Sequence, residues 1–298
     1  MRVLMTGPGG FLGSALAHHW ARCGHELTLL ARPGSRLQRL NGLLPSVRVV
    51  RASLPEEIDL AVREAGPDVI VHTACSYGRK GETPLDVMSA NLVLGAELLQ
   101  AVLDYSKNRL GPVSFLNTGT VLSADVSLYA LSKTQFSSWG AALSSQFPEI
   151  LRFIDIKLQH MYGPDDDRSK FTTHVIKACI RNDSRLELTS GEQKRDFIHI
   201  EDAVRAYDCI LNHHASFEAS DSIEVGSGEA VAIRDFVELV KRTARASTEL
   251  EFGAIPHRPK EPMLCVADTK RLHSLGWRAK VSLNEGLAQM LGATRSLL

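Results

Sequence analysis

The chain lacks any excess of one charge: Lys and Arg together number 34, Asp and Glu 34, in 298 residues. Bulk electrostatics therefore favour neither nucleic acid nor an anionic membrane as partner, and any basic site must be local. No stretch approaches the roughly 18 uninterrupted apolar residues of a spanning helix. The first residues read as a strand, not as a charged segment followed by an apolar one. A soluble, cytoplasmic protein without a membrane partner is expected. Cysteine is sparse: Cys23, Cys75, Cys179, Cys209 and Cys265 are odd in number, scattered and without Cys-x-x-Cys spacing. They read as reduced and mostly buried, not as metal ligands, and no metal site is expected. Internal repeats, low-complexity tracts and extended linkers are also missing. The length suits one large domain or two intimate ones.

What is present starts at the N-terminus. The strand-like run Arg2-Val3-Leu4-Met5 leads into Thr6-Gly7-Pro8-Gly9-Gly10-Phe11-Leu12-Gly13. Glycines at 7, 10 and 13 permit a tight strand-to-helix turn, close backbone approach to a pyrophosphate and contact between helix and sheet. The helix N-terminus offers free N–H groups to the anion. Apolar positions Phe11, Leu12, Ala15, Leu16 and Trp20 predict that helix, which closes at Gly24 before a second strand, Leu27–Ala31. This is one βαβ unit, and Gly7, Gly9, Gly10, Phe11 and Leu12 are its expected dinucleotide contacts.

Further strand-like runs at Val47–Val50, Val69–His72, Val113–Asn117 and Leu151–Leu158 alternate with helical patterns at 55–65, 84–106 and 129–146. Alternation of this kind predicts an α/β fold with a doubly wound parallel Rossmann sheet. The expected nucleotide domain covers 1–162, and a smaller C-terminal α/β substrate domain covers 163–298. Arg195–Ile200 and Ile223–Val225 read as returns to the large sheet, interleaving the two.

The second strand ends in Ala31-Arg32, followed by Ser35 and Arg36, where NAD-selective enzymes place a carboxylate for the ribose hydroxyls. Removing that anion and supplying guanidinium groups suits a 2′-phosphate, so NADPH is the expected cofactor. The alternative makes Arg32 and Arg36 ordinary solvated arginines.

Among the tyrosines, Tyr129 alone has a lysine four residues on, Lys133, which puts both on one helix face. A neighbouring ammonium favours the phenolate and brings a tyrosine toward the working range of an acid-base catalyst. The preceding strand ends in Asn117-Thr118-Gly119-Thr120. Thr118 is the expected third catalytic residue, hydrogen-bonding a substrate carbonyl, with Thr120 as the alternative. Asn91 either supports the site through a hydrogen bond or packs its helix.

These residues together resemble the extended short-chain dehydrogenase/reductase family, in its nucleotide-sugar epimerase/dehydratase branch. The resemblance runs over nearly the whole chain and takes in Met161-Tyr162-Gly163-Pro164, Lys194–Asp202, Arg258-Pro259, Ala267–Arg271 and Leu275-Gly276-Trp277. It implies a nucleoside-diphosphate sugar between the domains, with Arg195 and Arg258 on its diphosphate, Lys170 and Phe171 at the nucleotide, and Ser76, Tyr77, Thr118 and His160 near the sugar. Cofactor contacts at Ser53, Leu54, Thr73, Ala74, Cys75 and Asn91, and a homodimer through the 84–106 and 129–146 helices, follow from the same resemblance.

Departures narrow the implied reaction. The sugar dehydratases carry an Asp-Glu pair after the catalytic threonine, where this chain has Gly119 and Thr120. Ala31-Arg32 argues against the tightly held NAD of the epimerases. Lys157, His160 and the ten residues between Thr118 and Tyr129 indicate a remodelled pocket. Gln159–Pro164, Gln135-Phe136 and Trp139-Gly140 most resemble the 4-ketoreductases of the CDP-abequose and CDP-paratose synthase type. NADPH-dependent reduction of a 4-keto nucleotide sugar is the expected activity; a 4-epimerase with bound NAD and a non-catalytic NADP(H)-sensing protein are its rivals.

Overall fold

The computed structural model describes residues 1–106 and 109–296. The first part of the chain forms β1 (Arg2–Thr6), α1 (Phe11–Arg22), β2 (Glu26–Ala31), β3 (Arg48–Arg51), α2 (Pro55–Ala65) and β4 (Val69–His72). Then come α3 (Pro84–Met88), a π-helical turn (Ser89–Val93), α4 (Leu94–Tyr105), β5 (Val113–Thr118), α5 (Leu128–Gln146) and β6 (Leu151–Leu158). The remainder forms β7 (His160–Tyr162), α6 (Phe171–Arg181), β8 (Arg185–Leu188), β9 (Lys194–His199), α7 (Ile200–Asn212) and β10 (Ser220–Val225). It ends with β11 (Ala230–Ala232), α8 (Ile233–Ala244), β12 (Glu249–Phe252), β13 (Leu264–Cys265), α9 (Lys270–Ser274) and α10 (Leu283–Arg295).

Seven strands make the large sheet in the order β10-β6-β5-β4-β1-β2-β3, parallel from β6 through β3. Strand order reverses between β1 and β4, so the crevice for a ligand opens at their C-terminal ends. Parallel pairing explains the uninterrupted burial of β4 and β5, because helices cover both faces. Phe115 stacks on Phe153 at 5.5 Å, and Phe136 of α5 meets Phe153 edge-on at 5.8 Å. A Cβ on Gly140 would collide with the Phe153 ring, so this glycine lets α5 lie close to the sheet. Full burial of each such phenylalanine stabilises the fold by roughly 1.5–3 kcal/mol.

Two compact units result: Met1–Lys157 with Tyr207–Ile223, and Leu158–Ala206 with the chain from Glu224 onward. The second unit has its own core, in which Phe197 stacks on Phe236 at 4.4 Å among Val175, Ile176, Val240 and Leu287. The expected return of Arg195–Ile200 to the large sheet is corrected here. Those residues build β9, which pairs with β7, β11 and β13, because Phe197 belongs to the second core. Ile223–Val225 does join the large sheet, within β10.

The stretch Pro84–Tyr105 has the length and apolarity of a membrane-crossing helix, but Leu98, Leu99 and Val102 within it are fully buried in the first core. Cysteine burial is also corrected: Cys179 and Cys265 are buried, Cys209 is intermediate, and Cys23 and Cys75 are exposed, all five free.

His72, at the end of β4, is fully buried and shares a 2.8 Å hydrogen bond with Thr6 Oγ1. Burial first, then the Lys133 ammonium, holds its ring well below the ordinary 6.5; burial likewise lowers His199 and His214. Each ring takes up a proton less readily in the folded chain than in the unfolded one, which does so as the pH falls through 6.5. Their stabilisation is thus complete above that pH and declines below it. For His72 the decline is about 1.4 kcal/mol per pH unit. Urea unfolding at pH 7.5 and pH 5.5 checks the sign: the midpoint should fall at the lower pH, and an unchanged or higher midpoint would contradict it.

Candidate active site

In the first unit the glycine turn joins β1 to α1. Gly7 has φ +68°, and a Cβ there would lie 2.7 Å from Ala74 N and 2.8 Å from Thr73 Oγ1. A Cβ on Gly9 would strike the Arg36 carbonyl, and one on Gly13 the Gly7 carbonyl. Gly10 N donates to Gly7 O at 3.0 Å, closing the turn, and Gly10 caps α1 with no side-chain hydrogen bond. No acidic residue occupies the first turn of α1. Uncapped N–H groups above a cradle too tight for side chains fit a dinucleotide pyrophosphate. Phe11 and Leu12 open the helix as expected.

Thr73 Oγ1 donates to Thr6 O at 2.8 Å, and Ala74 N to Thr6 Oγ1 at 3.3 Å, so the β4 loop forms the opposite wall. Arg32 and Arg36 are exposed. Their loop is braced by Arg51, which donates to Arg32 O at 3.0 Å and Ser35 O at 2.9 Å. Arg39, which the sequence reading did not single out, reaches Gly9 O at 3.4 Å. The Ser53 and Leu54 N–H groups both donate to Glu57 Oε2, at 2.8 and 3.1 Å, capping α2. Those amides are therefore not free for a ligand.

Tyr129 and Lys133 lie one turn apart on α5, whose start is capped by Ser127 Oγ accepting from Ala130 N at 3.1 Å. Burial pushes the Tyr129 phenol far above its ordinary value; the nearby Cys75 adds to this, and a hydrogen bond with Thr120 opposes it. Lys133 is 1% exposed and lowered by burial, with Cys75 and Asp155 acting in the other direction.

Thr118 is held from a distant helix. Tyr207 of α7, fully buried, donates its hydroxyl to Thr118 Oγ1 at 2.8 Å. Thr120 joins Tyr129 instead, so the two threonines have separate partners. Between them, a Cβ on Gly119 would lie 2.5 Å from Asp155 Oδ1. That buried carboxylate oxygen accepts from Asn117 Nδ2 at 2.7 Å and Ser137 Oγ at 2.8 Å. A charged residue inside the apolar run Phe153–Ile156 was the sequence signal for Asp155, whereas Tyr207 reads only as core on an amphipathic helix.

Asn91 lies in the π-helical turn, fully buried. Its Oδ1 accepts from Ser76 N at 2.7 Å, and its Nδ2 donates to Ser76 O at 2.9 Å and Ser132 Oγ at 3.0 Å. These bonds brace the β4 loop against α5. The Ser76 hydroxyl donates to Glu82 at 3.2 Å. The Tyr77 ring lies tilted by 34° against the Tyr129 ring, centroids 4.8 Å apart, with the Arg79 guanidinium over Tyr77 at 5.2 Å. Cys75 is exposed beside this group.

In the second unit, the buried Arg195 guanidinium pairs with Glu261 and donates to Lys194 O at 2.8 Å. Its sequence neighbour Asp196 instead accepts from Ser227 N and Oγ, Gly228 N and Ala267 N at 2.6–3.1 Å. Arg258 is exposed, and its carbonyl accepts from Glu261 N at 3.1 Å, so one turn links both arginines to Glu261. Lys170 is tied down by Asp166 at 3.0 Å and the Met161 carbonyl at 3.2 Å. Phe171 leans on Phe236 at 6.1 Å, and His160 meets Phe197 edge-on at 6.2 Å.

CDP-abequose synthase of Salmonella typhimurium is 28% identical over 301 residues, which cover 97% of each chain. CDP-abequose synthase of Salmonella muenchen is 29% identical over 293 residues, again 97% of each. The crystal structure of UDP-glucuronic acid 4-epimerase from Bacillus cereus, in complex with UDP-glucuronic acid and NAD, matches with a TM-score of 0.85. That match covers 100% of both chains at 19% identity and shows the shared fold. Residues 3–226 match the NAD dependent epimerase/dehydratase family, and the chain belongs to that family.

Proposed function

We propose that this protein uses NADPH to reduce the keto group of a 4-keto nucleoside-diphosphate deoxy or dideoxy sugar to an alcohol. The observation that carries the reading is the hydroxyl cluster after β5, where Tyr207 holds Thr118, Tyr129 joins Thr120, and Gly119 is closed by Asp155. Bound NADPH supplies the hydride for the carbonyl carbon. As the C=O electron pair moves onto oxygen, the Tyr129 hydroxyl transfers its proton there. Thr118 accepts from Tyr207, which leaves its own hydrogen polarised to donate to the same oxygen. A protonated Tyr129 is the form a reduction consumes, whereas alcohol oxidation needs the phenolate. Lys133 is assigned to the nicotinamide ribose, and the glycine turn to the pyrophosphate.

Dehydration is disfavoured by chemistry and by space. Neither 119 nor 120 is a carboxylate, and a carboxylate at 119 would be crowded against that of Asp155, whose Oδ1 lies 2.5 Å from where a Cβ would stand. The CDP-abequose synthases among the relatives favour a CDP-linked sugar. Arg195 and Arg258 are assigned to the diphosphate, for which the Glu261 carboxylate must give way on Arg195. A cytoplasmic role in making surface-polysaccharide or glycoside precursors suits such a product. Exposed Met88, Leu131 and Trp139 support a homodimer through the α3–α5 helices.

The second reading, a 4-epimerase with resident NAD, draws on the structural resemblance to epimerases. Fluorescence titration of the purified protein separates the two. NADPH should bind at least about tenfold more tightly than NADH, the worth of one charge-assisted hydrogen bond to Arg32 or Arg36. Equal affinity, or turnover with co-purified NAD and no added cofactor, would overturn the NADPH assignment.

A further inference from the structure

A cluster outside the active-site residues lies where α1 meets α7. His19 and Cys23 sit four residues apart, so the last turn of α1 brings both onto one face. Cys23 Sγ lies 3.7 Å from His19 Nε2, and His19 Nε2 lies 3.4 Å from Asp208 Oδ1. The three donor atoms are all within 4.8 Å of one another. Bonds of about 2.0–2.1 Å to nitrogen or oxygen and about 2.3 Å to sulfur, at tetrahedral angles, set donor separations of about 3.3–3.6 Å. The two measured separations are thus close to those that a shared ion would impose.

We propose that His19 Nε2, Cys23 Sγ and an Asp208 carboxylate oxygen form a binding site for a divalent transition-metal ion of the zinc class. An imidazole, a thiolate and one carboxylate suit a borderline ion and not magnesium or calcium, which take all-oxygen sets. On binding, sulfur and nitrogen lone pairs and a carboxylate oxygen form the metal bonds, and the Cys23 thiol proton leaves to solvent. Asp208 is already oriented: Trp20 Nε1 donates to its Oδ1 at 2.9 Å, and Asn212 Nδ2 to its Oδ2 at 3.3 Å. Such outer hydrogen bonds are what fix a ligating carboxylate. The C-terminal end of α1 also favours a cation through its dipole.

The ion would tie α1, which opens at the glycine turn, to the helical turn of α7 where Tyr207 grips Thr118. This revises the expectation that Cys23 is no metal ligand, and it stands independently of the proposed reaction.

Cobalt titration of the chelator-treated full chain tests it. One equivalent of Co2+ should bind, giving a thiolate charge-transfer band and the visible bands of tetrahedral cobalt, and Zn2+ should displace it. Cys23→Ser should abolish the charge-transfer band, and His19→Ala should weaken binding by at least about tenfold, a loss that even an outer-shell change can bring. Cys209→Ser serves as the control, because Cys209 pairs with His213 at 3.8 Å elsewhere on α7. Cys23 is exposed, so its serine variant should melt like the metal-free parent. Absence of a saturable thiolate band, its survival in Cys23→Ser, or its loss in Cys209→Ser would overturn the site.

Discussion

Tyr129→Phe is expected to lower kcat by about 10²–10⁴-fold, the usual contribution of a positioned general acid, and to leave NADPH affinity unchanged. The substitution removes one oxygen and keeps the ring that packs against Tyr77 at 4.8 Å. The Thr118–Tyr207 hydrogen bond and the buried Lys133 remain, so carbonyl orientation and ribose binding should persist. What disappears is the proton that the developing alkoxide needs, together with the Thr120 hydrogen bond. Steady-state rates beside a fluorescence titration of cofactor separate these effects. Parental turnover in the variant would remove Tyr129 from the chemistry, and a joint loss of rate and cofactor binding would make its role structural.

Gly13→Ala is expected to damage cofactor binding and stability together. The added methyl would collide with the Gly7 carbonyl and lie 2.9 Å from Thr73 Oγ1, so α1 must shift away from β1 and the β4 loop. Overpacking of this kind costs roughly 1–3 kcal/mol. A shift of the α1 N-terminus also moves the N–H groups assigned to the pyrophosphate, so NADPH affinity should fall by at least about tenfold, as each 1.4 kcal/mol lost implies. Chemical denaturation and cofactor titration check the pair. An alanine variant with parental stability and affinity would mean that the turn is looser than its geometry indicates.

Local motifs were legible because their geometry is local. The glycine turn, the threonines ending β5 and the Tyr129–Lys133 spacing each code a backbone arrangement within a few residues, and the large sheet follows from strand and helix periodicity. Partners across long sequence separations were not legible. Tyr207 reaches Thr118 across 89 positions and Arg195 pairs with Glu261 across 66, because topology and not spacing brings them together. Asn91 was ambiguous for the same reason: only the π-helical turn aims its amide at Ser76 and Ser132. Burial is the largest influence on Tyr129 and on Lys133 alike, raising the phenol and lowering the ammonium, and spacing along a helix face does not reveal it.

Net reduction at the Thr118–Tyr129 cluster is tested by NADPH consumption by the purified protein with CDP-, dTDP-, UDP- and GDP-linked 4-keto sugars, with the product identified. One NADPH should be oxidised per sugar reduced to the alcohol, fastest with the CDP-linked substrate. Interconversion of sugar epimers without NADPH consumption, or no NADPH oxidation with any of the four, would contradict it.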